Sequence, residues 1–272
     1  MKYLKLFERD SDYQMYKTNG LDIPNVSYAV DTCIVYYNPN EEETRLIVCY
    51  DVQDISSPTS LCSNYDSSII GMEVDGIKLD AVVREYQFDT TGDHIVKYEF
   101  ANPTLIGSTV DKPTGAPLFM NSATMKYIII PSSVTAIGYN SFNQSGLSGE
   151  LVIPDSVTQI GQAAFSGTKI TSIKLSNNLT KLSGGILLNC PNITTVTIPE
   201  SVVELEQLVF SNCLNLTEII CYPTVAPTLI RIDNKNNSLS NMSLSGVLKY
   251  PAGSDYSSWL YYLGAGWVGQ EF

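Results

Sequence analysis

Histidine is nearly missing from this chain, and charge is scarce: one His stands among 272 residues, and Asp, Glu, Lys and Arg together make up 16%. A nucleophile–base pair built on imidazole therefore has a single candidate. That candidate, His94, adjoins the alternating run Ile95-Val-Lys-Tyr-Glu-Phe100 and reads as a strand-face residue. No G-x-S-x-G, H-E-x-x-H, P-loop or EF-hand pattern occurs, so no enzyme activity, catalytic residue or cofactor is expected. The six Cys show no C-x-x-C spacing, and Glu41-Glu-Glu43 follows Asn38-Pro-Asn40 as a solvated turn would, so no metal site is expected. No apolar run approaches the roughly 18 residues of a membrane span. Basic residues are few, 16 against 28 acidic ones, and a net charge of −12 repels phosphate backbones and anionic bilayers. Nucleic acid is thus not an expected partner, and neither is membrane insertion. Met1-Lys-Tyr-Leu-Lys-Leu-Phe7 is followed at once by Glu8-Arg9-Asp10, leaving no room for a signal-peptide core of roughly 7 to 15 apolar residues. Three alternatives stay open: export by another route, a signal already removed, or no Sec export.

What the chain has instead is a repeat. The segments Ile130-Pro-Ser-Ser-Val134-Thr-Ala-Ile137-Gly, Ile153-Pro-Asp-Ser-Val157-Thr-Gln-Ile160-Gly, Leu175-Ser-Asn-Asn-Leu179-Thr-Lys-Leu182-Ser and Ile198-Pro-Glu-Ser-Val202-Val-Glu-Leu205-Glu recur every 22 to 23 residues. Phe119, Phe142, Phe165, Leu187 and Phe210 mark the same phase, so four of the eight Phe share one position of the period. A period in this range marks a solenoid of the leucine-rich-repeat kind, whose units bury their apolar faces only by stacking.

Each unit predicts one coil. Apolar residues spaced i, i+3, i+5, as in Met125-Ile128-Ile130, Ile170-Ile173-Leu175, Ile193-Val196-Ile198 and Leu216-Ile219-Cys221, place their last two members on one face of a short strand, pointing into the stack. Proline then ends the pairing. A second apolar pair such as Val157/Ile160 turns back inward, and Gly161-Gln-Ala-Ala-Phe165 has room for about one turn of helix or 3₁₀ helix. The strands are expected to stack in parallel. Residues 147–153 carry Ser148 where other units have Met, Ile or Leu, so an irregular strand start is expected there. Cys190 and Cys213, 23 residues apart at matching positions, read as neighbouring buried thiols, with a disulfide as the alternative.

This pattern resembles the BspA-type leucine-rich-repeat family of bacterial, often surface-exposed, proteins, whose units read roughly I-P-x-S-V-T-x-I-G-x-x-A-F. Residues 119–221 carry the match, and the unit at 175–183 departs most, lacking Pro and Gly. Val74-Asp75-Gly76 and Phe88–Phe100 look like the β segment that precedes such repeats, and Tyr250-Pro-Ala-Gly-Ser254 looks like a closing strand. The resemblance implies a cell-surface or extracellular, non-enzymatic protein used in binding or adhesion.

The expected fold is therefore α/β: a β-rich region at residues 1–106, in one piece or as 1–60 and 61–106, then a solenoid at 107–272 with an aromatic cap from about residue 222. The cap would use Tyr256, Trp259, Tyr261, Tyr262 and Trp267. Residues flanking the inward positions should line the exposed sheet face: Tyr127, Ile129, Glu150, Val152, Ser172, Lys174, Thr195, Thr197, Glu218 and Ile220. That face is the candidate binding surface, for a protein or a glycan. A structural part of a phage or appendage assembly is the alternative.

Overall fold

The structure, a computed structural model, describes residues 3–5, 34–36, 45–62, 69–107, 117–230 and 238–272. Cys33 and Glu41–Glu43 lie outside the described residues.

Two short strands, β1 (Tyr3–Lys5) and β2 (Ile34–Tyr36), pair antiparallel. The next strands are β3 (Leu46–Val52), β4 (Thr59–Ser60), β5 (Ile69–Val74), β6 (Ile77–Lys78), β7 (Glu85–Tyr86) and β8 (Gly92–Phe100). β3, β8, β5 and β6 lie side by side, all antiparallel. Their alternation explains the sheet: Val48 faces Val96 and Leu46 faces Tyr98, all four fully buried on one side. The β5–β6 hairpin turns on Asp75-Gly76, both left-handed (φ 48° and 84°), as the Asp-Gly signal requires.

β9 (Leu105–Ile106) opens the coiled part, followed by β10 (Met125–Ile129). Here the structure corrects the sequence reading. β10 does not start the parallel stack; it pairs antiparallel with β3, with an irregularity between Met125 and Tyr127, and extends the N-terminal sheet to five strands. The apolar spacing of the first unit satisfies either neighbour, because a strand buried on both sides carries no mark of its partner's direction.

From there the coils are regular. Strands β11 (Ala136–Ile137), β12 (Ser148–Val152), β13 (Gln159–Ile160), β14 (Lys169–Lys174), β15 (Lys181–Leu182), β16 (Thr195–Ile198), β17 (Glu204–Leu205), β18 (Glu218–Cys221), β19 (Thr228–Leu229), β20 (Gly246–Tyr250) and β21 (Trp267–Glu271) follow. The even-numbered strands from β12 to β20, closed by β21, form one six-stranded parallel sheet. The short strands on the second side form two three-stranded parallel sheets, β9–β11–β13 and β15–β17–β19. The break falls at the unit lacking Pro and Gly. Side chains bridge it: Ser176 Oγ donates to the Val157 carbonyl at 2.6 Å, and Ser183 Oγ donates to the Ile160 carbonyl. The closing strand is β21, whereas Tyr250 ends β20 and Pro251–Ser254 lead toward helix α1 (Ser257–Leu263).

The third side is made of turns. No helix forms at Gly161–Phe165, because each coil carries left-handed residues at two repeating positions: Asn140, Ala163, Gly185 and Leu208 at one, Gln144, Gly167, Asn189 and Asn212 at the other. Ala163 and Leu208 give no hint of this in sequence, since non-glycine residues of their kind rarely adopt positive φ. Backbone bonds still join coil to coil here: Phe142 N–H donates to the Ala164 carbonyl at 2.8 Å and Phe165 N–H to the Ile186 carbonyl at 3.1 Å. Gly161 is needed for that approach, since a Cβ there would stand 2.5 Å from the Tyr139 nitrogen.

Inside, like packs on like. Phe119, Phe142 and Phe165 stack nearly parallel with centroids 5.3 and 5.4 Å apart, and Leu187 and Phe210 continue the buried column. Tyr98 of β8 meets Phe119 edge-on at 5.2 Å, so the N-terminal sheet covers the first coil. The far end is closed by α1 and β21. Trp259, Tyr256 and Trp267 are buried, their polar atoms donating to the carbonyls of Pro227, Pro223 and Ser243 at 3.0, 2.9 and 2.9 Å. Tyr261 takes no part in this closure and is exposed.

Candidate binding face

The parallel sheet aligns distant residues into rows. Glu150, Ser172, Thr195, Glu218, Val247 and Val268 are successive partners, and so are Val152, Lys174, Thr197, Ile220, Lys249 and Gln270. Between the two rows, Leu151, Ile173, Val196, Ile219 and Leu248 are buried, so the rows point the opposite way, to the outside. Eight of the ten residues singled out by the strand pattern thus meet on one surface.

Tyr127 and Ile129 do not join them. Both lie on β10, in the antiparallel sheet, where Tyr127 sits opposite Cys49 and is only 3% exposed. Ile129 is half-buried beside Ile47. Their expected outward position held only if β10 belonged to the parallel stack. The irregular start of β12 has its own cause: the register shifts between Gly149 and Glu150, with Gly149 left-handed at φ 72°, and Leu147 rather than Ser148 is buried.

A shallow cleft of about 590 Å³ lies over this face, bounded by Glu150, Lys174, Asn177, Thr197, Glu200 and Tyr222 among others. Tyr222 was missed in the sequence. It follows Ile220 by two residues, so continuing the strand's period-2 rule past the end of β18 would have found it; its N–H still donates to the Ile198 carbonyl at 3.0 Å. The ring is 50% exposed and meets Phe272 edge-on at 5.5 Å. Other contacts fix the polar groups. Lys249 Nζ lies 2.7 Å from Glu218 Oε1, and Thr195 Oγ1 donates to Glu218 Oε2 at 3.4 Å. Asn177 is held from behind by Asp155, which accepts from its backbone N–H at 2.9 Å and from Nδ2 at 3.2 Å.

Chemistry of other kinds finds little footing among the described residues. His94 Nδ1 lies 2.7 Å from Asp75 Oδ2 and Nε2 lies 2.9 Å from the Thr90 carbonyl, while the ring packs on Phe88 at 4.1 Å. Asp75 Oδ1 accepts the Ile95 N–H at 2.8 Å. The Asp75 contacts tie the hairpin to β8, the Thr90 and Phe88 contacts tie β8 to the segment leading into it, and no Ser or Cys nucleophile shares them. Cys49, Cys62, Cys190, Cys213 and Cys221 are buried. Cys190 Sγ and Cys213 Sγ donate to the carbonyls of Phe165 and Leu187 at 3.3 and 3.0 Å, and burial pushes the Cys221 thiol up to about 12. Buried, and in the case of Cys190 and Cys213 turned onto backbone carbonyls, these thiols pack as small hydrophobes. Among the described residues no group of three His, Cys, Asp or Glu could hold a metal, and no helix is long and apolar enough to cross a membrane.

No curated protein matches the chain. Among solved structures it is similar to a leucine-rich repeat protein from Bacteroides ovatus ATCC 8483, at 20% identity and a TM-score of 0.41, over 53% of this chain and 35% of that one. It is also similar to a leucine rich cell surface protein from Faecalibacterium prausnitzii A2-165, at 22% identity and a TM-score of 0.39, over 53% and 38% of the two chains. The chain thus spans little more than a third of either protein. Residues 113–244 match the BspA type Leucine rich repeat region in six copies, so that segment is a BspA-type leucine-rich-repeat region.

Proposed function

We propose that the chain is a non-enzymatic recognition module, placed at a bacterial cell surface, that binds a protein or glycan partner through the outward face of the six-stranded sheet. One observation carries this reading: two rows of outward side chains cross the whole parallel sheet in register, mixing carboxylates, ammonium groups, hydroxyls and aliphatic groups over a cleft. Solenoids present their stacked sheets as extended binding surfaces. In this reading residues 1–106 cover the first coil, residues 107–272 carry the face, and adhesion is the use to which it is put. Glu150, Val152, Ser172, Lys174, Thr195, Thr197, Glu218 and Ile220 are the proposed contact residues. The arrayed proteins and glycans bound by the purified wild-type chain define the partner set. Replacing Thr195 and Thr197 together by Arg, in the centre of the rows, should abolish those signals and leave the melting temperature within about 2 °C of wild type. Undiminished binding by the folded double variant would move the site off this face.

A further inference from the structure

The dimensions and chemistry of the face narrow the partner. Six strands spaced about 4.8 Å apart span about 24 Å, and five residues of strand cover about 15 Å, so the flat face measures about 360 Å². The cleft above it holds about 590 Å³, within the roughly 300–1,000 Å³ of a small-ligand site.

Its groups point the same way. The backbone N–H and C=O groups of β14, β16 and β18 are already paired with their neighbours on both sides, so the face has no main-chain groups to offer an extended peptide. Recognition must come from side chains. In the cleft these are hydroxyls of Ser172, Thr195 and Thr197, the amide of Asn177, the carboxylates of Glu150 and Glu200, and the Lys174 ammonium. Charges nearly balance, with one acid in excess, on a chain whose net charge is −12. Sulfated or phosphorylated ligands are disfavoured, and a neutral ligand rich in hydroxyls is not.

The aromatic wall completes the argument. Carrying the sheet register on by one or two residues past the last paired positions sets Pro199, Tyr222, Pro251 and Phe272 in a third row. The Tyr222 and Phe272 rings meet with planes 63° apart. Tyr222 keeps half of its surface exposed despite this edge contact and is one of the residues lining the cleft. A half-exposed ring beside hydroxyl, amide and carboxylate groups matches a pyranose, which has an apolar C–H face and a rim of hydroxyls. Asp155 orients the Asn177 amide before any ligand arrives, which lowers the ordering cost of binding.

We propose that this cleft is a subsite for a neutral oligosaccharide, with one sugar ring stacked on Tyr222 and its hydroxyls taken by Asn177, Glu200, Lys174 and Thr197. The proposal rests on the sheet-face reading above and goes beyond it by committing to the ligand class.

The test is titration calorimetry with neutral hexasaccharides of glucose, galactose, mannose, xylose and N-acetylglucosamine units, plus one sulfated hexasaccharide. It uses wild type, Tyr222→Ala, Thr195→Arg/Thr197→Arg and, as a control on the second side of the coil, exposed Val203→Ala. Binding of at least one neutral hexasaccharide is expected, weakened about tenfold or more by Tyr222→Ala. The Arg pair should abolish it, and Val203→Ala should leave it unchanged. Tyr222 is exposed, so its variant folds, which an unchanged melting curve verifies. Absence of binding by every neutral sugar, preference for the sulfated one, or indifference to Tyr222→Ala overturns the proposal. If proteins on an array bind in a manner lost with the Arg pair while no sugar binds, the saccharide inference fails and the face remains the site. If the Arg pair leaves all binding intact, both fail.

Discussion

The solenoid and the antiparallel sheet ahead of it bury comparable side chains by opposite rules. In the solenoid each buried residue packs on its own counterpart one coil away, as Phe119, Phe142 and Phe165 do. In the N-terminal sheet the important contacts join unlike partners found once. The hydroxyls of Tyr50 and Tyr98 stand 2.7 Å apart and both reach the Leu61 carbonyl, at 2.6 and 2.8 Å. Glu73 lies 2.9 Å from both Arg45 and Lys97. A repeated contact spreads stability along a line of nearest neighbours, while a unique one concentrates it in a few groups whose loss is felt together.

The largest test of this contrast is Phe142→Ala. Its ring lies between two others, so the cavity opens in the middle of the column, and denaturant unfolding should show a loss of about 3–5 kcal/mol. A loss below about 1 kcal/mol would mean that neighbouring coils close the gap and the column is not what holds them.

Next comes the tyrosine pair. Burial pushes both phenols well above their ordinary range, so each stays a neutral donor. Tyr50→Phe or Tyr98→Phe alone leaves one hydroxyl on the Leu61 carbonyl and should cost about 1 kcal/mol. The double variant strips that buried carbonyl and should cost about 3 kcal/mol, more than the sum. Strict additivity in a double-mutant cycle would show that the three groups do not act as a unit.

A smaller effect, with a pH signature, is expected at Glu73. Burial pushes its carboxyl up, but Lys97 and Arg45 outweigh this and hold it below the ordinary 4.5. A depressed folded-state value means the stabilisation is present above about pH 4.5 and is lost as pH falls through the lower, folded value. Glu73→Gln should therefore cost about 1 kcal/mol at neutral pH, and its deficit should shrink on acidification. A deficit independent of pH would assign the loss to packing instead. Smallest of all is Lys174→Ala, whose side chain lies on the outer face: a change within about 0.5 kcal/mol is expected from the same denaturation series.

The same contrast explains how much could be read in the chain beforehand. Repetition made the coils legible, since Phe142, Phe165, Ile153 and Ile198 each state a rule several times over and any one position can be checked against the rest. The rows from Glu150 to Ile220 follow from that rule by alternation. Tyr127 shows where it ends: its unit obeys the spacing, yet β10 turns to β3, and pairing direction is a tertiary choice with no local residue to announce it. Ala163 and Leu208 hide their left-handed backbone because the stack imposes it against their own preference. Tyr222 lay within reach of the rule but beyond the strand's last inward residue. In the N-terminal region Asp75-Gly76 and the alternation of β8 could be read, whereas the Tyr50, Tyr98 and Leu61 cluster could not, being built from positions with no shared period.

The central claim is that recognition takes place on the outward rows of the parallel sheet, and hydroxyl-radical footprinting tests it most directly by comparing the free chain with its bound state. Val152, Ile220 and Tyr222 should lose reactivity on binding, while exposed Val203 and Leu214 on the other sides of the coil keep theirs. Protection of Val203 or Leu214, with Ile220 and Tyr222 unchanged, would contradict the account.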